Sequence, residues 1–176
     1  YYWKIVPQTA NGSASNCPVW SFKTPTSTQL AESFESGIPS DWYNQGGWSQ
    51  SKTTQRIDGG YTALRGSGST QPQTILATPK LKITSDSYLN FWGMCSNTSN
   101  YLKIMYSNNK TDWQQLGNNI TFNNRNTMQY FSISLSSLAG NNYYLGFQAQ
   151  AGDITYTLDC VFGPEKVPEP PTLVSP

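Results

Sequence analysis

The sequence predicts an all-β protein: a two-sheet, jelly-roll-like β-sandwich with an N-terminal β-hairpin. Three observations carry this. The 14 Gly and 11 Pro are scattered through 176 residues, and Asn, Ser and Thr cluster between short apolar runs, which is the punctuation of strands and turns. The runs are filled with Val, Ile, Thr, Tyr, Phe and Trp, the residues that fit a pleated, half-buried surface. Apolar and polar side chains alternate at period two. Even the most helix-like stretch, Ser132–Ala139, begins with strand periodicity, Phe131, Ile133 and Leu135 alternating with Ser132 and Ser134.

The elements follow in order. Residues 1–24 read as a hairpin: a strand over Tyr1–Val6, a turn over Asn11–Asn16, and a second strand over Cys17–Thr24. A lone hairpin is marginal in water, so this one needs a surface to rest on or a partner for its edges. Residues 25–29 are a short polar linker. Residues 30–163 form the main domain, with strands at Tyr88–Cys95, Tyr101–Tyr106 and Tyr143–Gln150. Asp58-Gly59-Gly60 and Gly66-Ser67-Gly68-Ser69 between them are turn chemistry, without the Lys or helix context of a phosphate loop. In residues 164–176 a proline-rich spacer leads into Thr172–Pro176, the expected first strand of a following domain.

Composition narrows function. Charged residues are 12% of the chain, against about 25% in an ordinary soluble protein. A net charge of +1 gathers no phosphates, which argues against nucleic-acid binding. No apolar run reaches the ~20 residues of a membrane helix, so membrane insertion is not expected. The absence of histidine removes the usual general base, the Ser–His and Cys–His pairs, and the commonest zinc ligand. The 6 Trp and 11 Tyr, set among uncharged polar residues, suit stacking on rings and hydrogen bonding to hydroxyls, and so suit sugars. They suit an extracellular sandwich without a ligand equally well. Cys17, Cys95 and Cys160 form no CxxC pair. A Cys95–Cys160 disulfide and two buried free thiols are both open, the second being the plainer reading. Asn97-Thr98-Ser99, Asn109-Lys110-Thr111 and Asn119-Ile120-Thr121 are sequons that matter only in a eukaryotic secretory protein.

Four stretches in order carry a family resemblance: Glu32–Pro39 with Trp42, Ile75–Leu81, Leu89–Trp92 and Tyr156–Gly163. The chain from Leu30 to Gly163 resembles the cleaved-adhesin domains of gingipain-type surface proteins, which are related in fold to MAM-like and carbohydrate-binding-module jelly rolls. Residues 1–24 resemble the last two strands of a fibronectin type III or Ig-like repeat of Bacteroidetes-type surface proteins, and the tail resembles the start of another. The resemblance implies a module of a longer secreted or surface-attached bacterial protein, with neighbouring repeat domains as partners. It also implies a structural calcium held by Glu32 or Glu35 with Asp159. The family's last strand carries two adjacent acids. Here the second is Cys160, which weakens that metal site.

Alternation sorts the strands into faces. Leu89 and Phe91, Leu102, Ile104 and Tyr106, and Tyr143, Leu145, Phe147 and Ala149 read as core. If the three strands share one sheet, their opposite sets present Trp92, Tyr101, Lys103, Tyr144 and Gln148 as a ligand platform. Trp42 reads as core and Trp48 as a cap on the sandwich end. Trp113 is the loop tryptophan that would need a partner and joins the binding candidates.

The ten acids sit mostly beside Gly, Asn or Ser in expected turns, and no Ser nucleophile has a base, so no catalysis is expected. Glu35 and Asp159 would equally accept backbone hydrogen bonds at a turn instead of binding calcium. The expected function is non-catalytic adhesion to a glycan or an extracellular protein. The alternatives are a structural spacer without a ligand, and an accessory carbohydrate-binding domain of a hydrolase.

Overall fold

The computed structural model describes residues 2–3, 6–10, 12–13, 20–21, 28–68, 70 and 72–168. Most of the expected turn over Asn11–Asn16, most of the expected strand over Cys17–Thr24 and the expected strand at Thr172–Pro176 lie outside these. The chain divides into two compact units, one of Tyr1–Ser27 with Pro168–Pro176 and one of Thr28–Val167.

In the first unit, β1 (Tyr2–Trp3), β2 (Gln8–Thr9), β3 (Gly12–Ser13) and β4 (Trp20–Ser21) form two small antiparallel ladders. Tyr2 pairs with Ser21 and Trp3 with Trp20, while Gln8 pairs with Ser13.

The second unit contains β5 (Gln29–Glu32), β6 (Tyr43–Asn44), β7 (Trp48–Lys52), β8 (Tyr61–Arg65), β9 (Thr74–Ala77), β10 (Leu81–Lys82) and β11 (Tyr88–Cys95). These are followed by β12 (Tyr101–Ser107), β13 (Gln114–Gln115), β14 (Ile120–Thr121), β15 (Gln129–Ser134), β16 (Asn142–Ala149) and β17 (Tyr156–Glu165). A 3-10 turn at Ser136–Leu138 interrupts the strands just where the alternation of the 132–139 stretch ends.

Two antiparallel sheets face each other. A seven-stranded sheet runs β13-β12-β16-β9-β6, with β10 on β16 and β14 on β12. A six-stranded sheet runs β15-β11-β17-β8-β7, with β5 on β17. The inward sets of both sheets form one core, which includes Leu89 and Phe91 of β11, Leu102 and Ile104 of β12, and Leu145 and Phe147 of β16. Phe91 meets Phe147 edge to face across the interior at 5.0 Å, an arrangement aromatic pairs favour. Trp42 is buried against Phe34 at 5.2 Å, and Trp48 is buried in the same core.

The sheet assignment corrects one expectation. β12 and β16 are neighbours, with Lys103 opposite Gln148, but β11 lies in the other sheet. Trp92 is therefore separated from Tyr101, Lys103, Tyr144 and Gln148 by the thickness of the sandwich. Alternation fixes which side chains share a strand face and says nothing about which strands pair.

Cys95 and Cys160 are free and buried. The register sets Cys95 opposite Tyr156, four residues from Cys160 along β17. That is about 13 Å at ~3.3 Å per residue, beyond the Cα separation of about 7 Å that a disulfide can bridge.

Candidate functional site

β17 decides what the six-stranded sheet presents. Its ladder with β11 shifts register between Asn90 and Trp92. Cys160, at φ 47°, is the extra residue of this bulge. The bulge turns Asp159 under the 53–60 loop and Phe162 outward beside Asn90.

On the outward face, Tyr88, Asn90 and Trp92 follow one another at two-residue intervals along β11. Tyr130 lies opposite Trp92 on β15, and Phe162 lies opposite Asn90 on β17. The Trp92 and Tyr130 rings are 5.6 Å apart and tilted by 57°. The Tyr130 hydroxyl donates to Asn90 Oδ1 at 3.0 Å, which orients the amide and leaves its Nδ2 without a hydrogen bond among the described residues. Tyr88, Tyr130 and Phe162 are 50%, 55% and 48% exposed, among the few large apolar side chains left open to water. Tyr88 and Trp92 are four residues apart, about 13 Å along the strand. The strip can therefore contact a chain of several rings and not only one.

At its Tyr88 end the strip opens into a cleft of about 600 Å³, lined by Gln29, Lys82, Asp86, Glu165, Tyr88 and Phe162 among others. Thr84 Oγ1 donates to Asp86 Oδ1 at 2.6 Å, and this bond holds the Asp86 carboxyl below its ordinary pKa. The cleft thus joins hydrogen-bonding groups of both kinds to an aromatic edge.

The seven-stranded sheet carries the other sequence candidates together. The register aligns Lys103 with Gln148, Met105 with Gly146 and Ser107 with Tyr144 on its outward face. Trp113 lies on this face. It stacks on Tyr43 at 6.1 Å over Ile75, Ala77 and Met105, and its Nε1 donates to Lys110 O at 3.1 Å. Gly146 makes this possible, because a Cβ there would stand 3.0 Å from the Trp113 ring and 2.7 Å from Ile75 Cγ2. Of the six binding candidates, Tyr101, Lys103, Trp113, Tyr144 and Gln148 share this face, and Trp92 belongs to the strip on the opposite side.

Tyr88, Tyr130 and Phe162 were not singled out from the sequence. Tyr88 shares a period-two set with Trp92, and Tyr130 alternates outward from Phe131 and Ile133, so both signals were present. Phe162 was masked by the bulge, which no alternation pattern reveals.

The three calcium candidates engage backbone N–H groups. Glu35 Oε2 and Oε1 accept from Gly60 and Tyr61, both at 2.8 Å. Asp159 Oδ2 accepts from Ile57 at 2.7 Å and Asp58 at 3.2 Å, and its Oδ1 accepts from Cys160 at 2.7 Å. Glu32 Oε1 accepts from Phe34. A calcium ion wants six to eight oxygens. Here both central carboxylates accept backbone N–H groups on each of their oxygens. No group of three or more acidic or thiol side chains converges as a metal cage among the described residues. In the structure Glu35 and Asp159 fasten the 53–60 loop and the start of β8 to the sheet. Three other acids are tied as well: Asp41 to Lys166 at 3.0 Å, Asp112 to Asn109 at 2.6 Å, and Asp58 to the Gly59 N–H at 2.9 Å.

No protein-family model and no curated protein sequence matches the chain. Solved structures do. The K3 cleaved adhesin domain of Lys-gingipain from Porphyromonas gingivalis W83 is 20% identical and aligns with 81% of this chain and 100% of its own, at a TM-score of 0.58. The K1 domain of the same protein is 22% identical over 77% of this chain and 97% of its own, at 0.57. TmCBM61, solved in complex with β-1,4-galactotriose, is 14% identical over 74% of this chain and 92% of its own, at 0.51. At these identities the shared property is the fold: the Thr28–Val167 unit has the jelly-roll sandwich of cleaved adhesin domains.

Proposed function

We propose that the Thr28–Val167 unit is a non-catalytic glycan-binding module of a secreted or surface-attached protein. Its binding surface is the strip of Tyr88, Asn90, Trp92, Tyr130 and Phe162. The observation that carries this is the gathering of exposed rings around Trp92 and one oriented amide. Rings of this kind stack on the apolar faces of sugars, while the free Asn90 Nδ2 and the cleft's polar groups address hydroxyls. The employment of the acids in fastening turns supports a module without catalysis. The sandwich is shared with adhesin domains and with a protein seen holding a β-linked galacto-oligosaccharide, which makes β-linked glycans the first class to test. The neighbouring parts of the parent chain would carry the module to its target.

The test is a glycan array with polysaccharide pull-down on the wild type, Trp92→Ala and Tyr130→Ala, with and without EDTA. Each substitution is expected to weaken binding about tenfold or more, the loss of ~1.4 kcal/mol of stacking. EDTA is expected to change nothing, because the candidate carboxylates are already held by backbone N–H groups. Glycan binding indifferent to both substitutions would remove the strip from the function. The exposed rings would then serve contact with a neighbouring domain.

A further inference from the structure

We propose that the outer face of the seven-stranded sheet is a second binding surface, selective for an acidic glycan, with Lys80, Lys103 and Lys110 reading the charge and Tyr144, Tyr101 and Gln148 the sugar. Lys110 Nζ lies 4.7 Å from the centroid of the Tyr144 ring, and Lys80 Nζ lies 5.2 Å from the same centroid. The two ammonium groups are thus no more than about 10 Å apart, the two distances laid end to end. Lys103 Nζ stands 5.9 Å from the Tyr101 ring, further along the same face. None of the three pairs with a carboxylate among the described residues. In a chain of net charge +1, three uncompensated cations on one aromatic face are a local excess that the composition hides.

The turn that carries Lys110 is held in advance. Ser107 Oγ accepts from the Asn109 and Lys110 N–H groups at 3.2 and 3.0 Å. Asn109 Oδ1 accepts from Thr111 and Asp112 at 3.0 and 2.9 Å. Lys110 takes a left-handed φ of 67°, which a residue with a Cβ adopts only when its surroundings demand it. Trp113 Nε1 clamps the Lys110 carbonyl. The nearest acid in sequence, Asp112, accepts from Asn109 Nδ2 at 2.6 Å and forms no ion pair with Lys110. A cation–π contact stabilises one ammonium on the Tyr144 ring. A second on the same ring adds like-charge repulsion, which an anion bound between the two would relieve. Rings and an amide beside the cations favour a sugar acid over an acidic peptide, because a peptide carboxylate would use the charges and leave the stacking surface idle.

The full chain is titrated with polygalacturonate, heparin, neutral galactan and poly-glutamate. The wild type, Trp92→Ala and the double variant Lys80→Gln with Lys110→Gln are compared at about 0.05 and about 0.5 M salt. Both lysines are half-buried, so matching urea midpoints of the double variant and the wild type verify that the fold is kept. The expected result is binding of polygalacturonate or heparin that survives Trp92→Ala, weakens with salt, and falls about tenfold or more in the double variant. The ranking of the two polymers says whether carboxylate or sulfate is preferred. Acidic-polymer binding unchanged in the double variant would overturn the proposal. So would poly-glutamate bound as tightly as polygalacturonate, since charge without a sugar ring would then account for the affinity. Survival of this binding in Trp92→Ala separates its fate from that of the strip.

Discussion

Arg65 is completely buried, and no carboxylate among the described residues pairs with it. Its guanidinium donates instead to four carbonyls: Ile154 O at 2.7 Å, Pro72 O at 2.9 Å, Gly152 O at 3.0 Å and Gly66 O at 3.2 Å. Desolvation pulls its pKa down, and the planar fork offsets part of that cost by satisfying two loops at once. Arg65→Met would take this donor from four carbonyls, the buried Ile154 O among them, while Gly152 O keeps the Ile154 N–H at 2.9 Å, so a loss of about 3 kcal/mol is expected in urea unfolding. Arg65→Lys keeps the charge but gathers its donors at one point, and an intermediate loss of about 2 kcal/mol is expected. Equal stability of the wild type and Arg65→Met would show that the loops satisfy themselves by other means.

At the scale of elements, the 53–60 loop is an arm laid over the six-stranded sheet and fastened by Asp159 and Glu35. Asp159→Ala removes the acceptors for Ile57 and Asp58 and leaves the exposed Arg56 on a looser loop. Tryptic cleavage after Arg56 is expected to speed up about tenfold or more, which corresponds to ~1.4 kcal/mol of easier local opening. Asp159→Asn, which keeps one acceptor oxygen, should fall between. An unchanged cleavage rate would place the fastening elsewhere. The same loop marks where sequence reading stops. Period two was enough to separate Leu89 and Phe91 from Asn90 and Trp92, and Leu145 and Phe147 from Tyr144 and Gln148, because each face is set by adjacent residues. Asp159 and Ile57 stand 102 residues apart. Trp113 finds Tyr43 across the sheet from a distant part of the chain, and β11 joins β15 and β17 while β12 joins β16. These pairings depend on the closure of the whole sandwich. A face was therefore legible where its sheet was not, and the candidate site divided into two surfaces. Met94 shows the limit in one residue: it alternates outward with Trp92, yet it is buried.

At the scale of the whole molecule, the fold keeps three weak acids in their neutral forms, and this gives its stability a direction in pH. Burial, followed by the neighbouring carboxylates of Asp159, Asp58 and Glu35, pushes the Cys160 thiol up to about 12. Burial likewise raises the Cys95 thiol and the Tyr156 phenol. In the unfolded chain, thiols release their protons near pH ~8.5 and phenols near ~10. Below pH ~8 both states hold these protons, and stability is indifferent to them. Above it the unfolded chain holds fewer protons than the folded one, so the unfolding free energy falls as pH rises through the folded values. For Cys160 alone the window runs from about 8.5 to about 12, with a loss on the order of 3 kcal/mol by pH ~11. The urea midpoint should be level between pH ~6 and ~8 and decline from pH ~9. Cys160→Ala should decline less steeply between pH ~9 and ~10. Parallel declines in the two proteins over that interval would mean that the β17 bulge admits water to the thiol and that its burial contributes nothing to the alkaline limit of the fold.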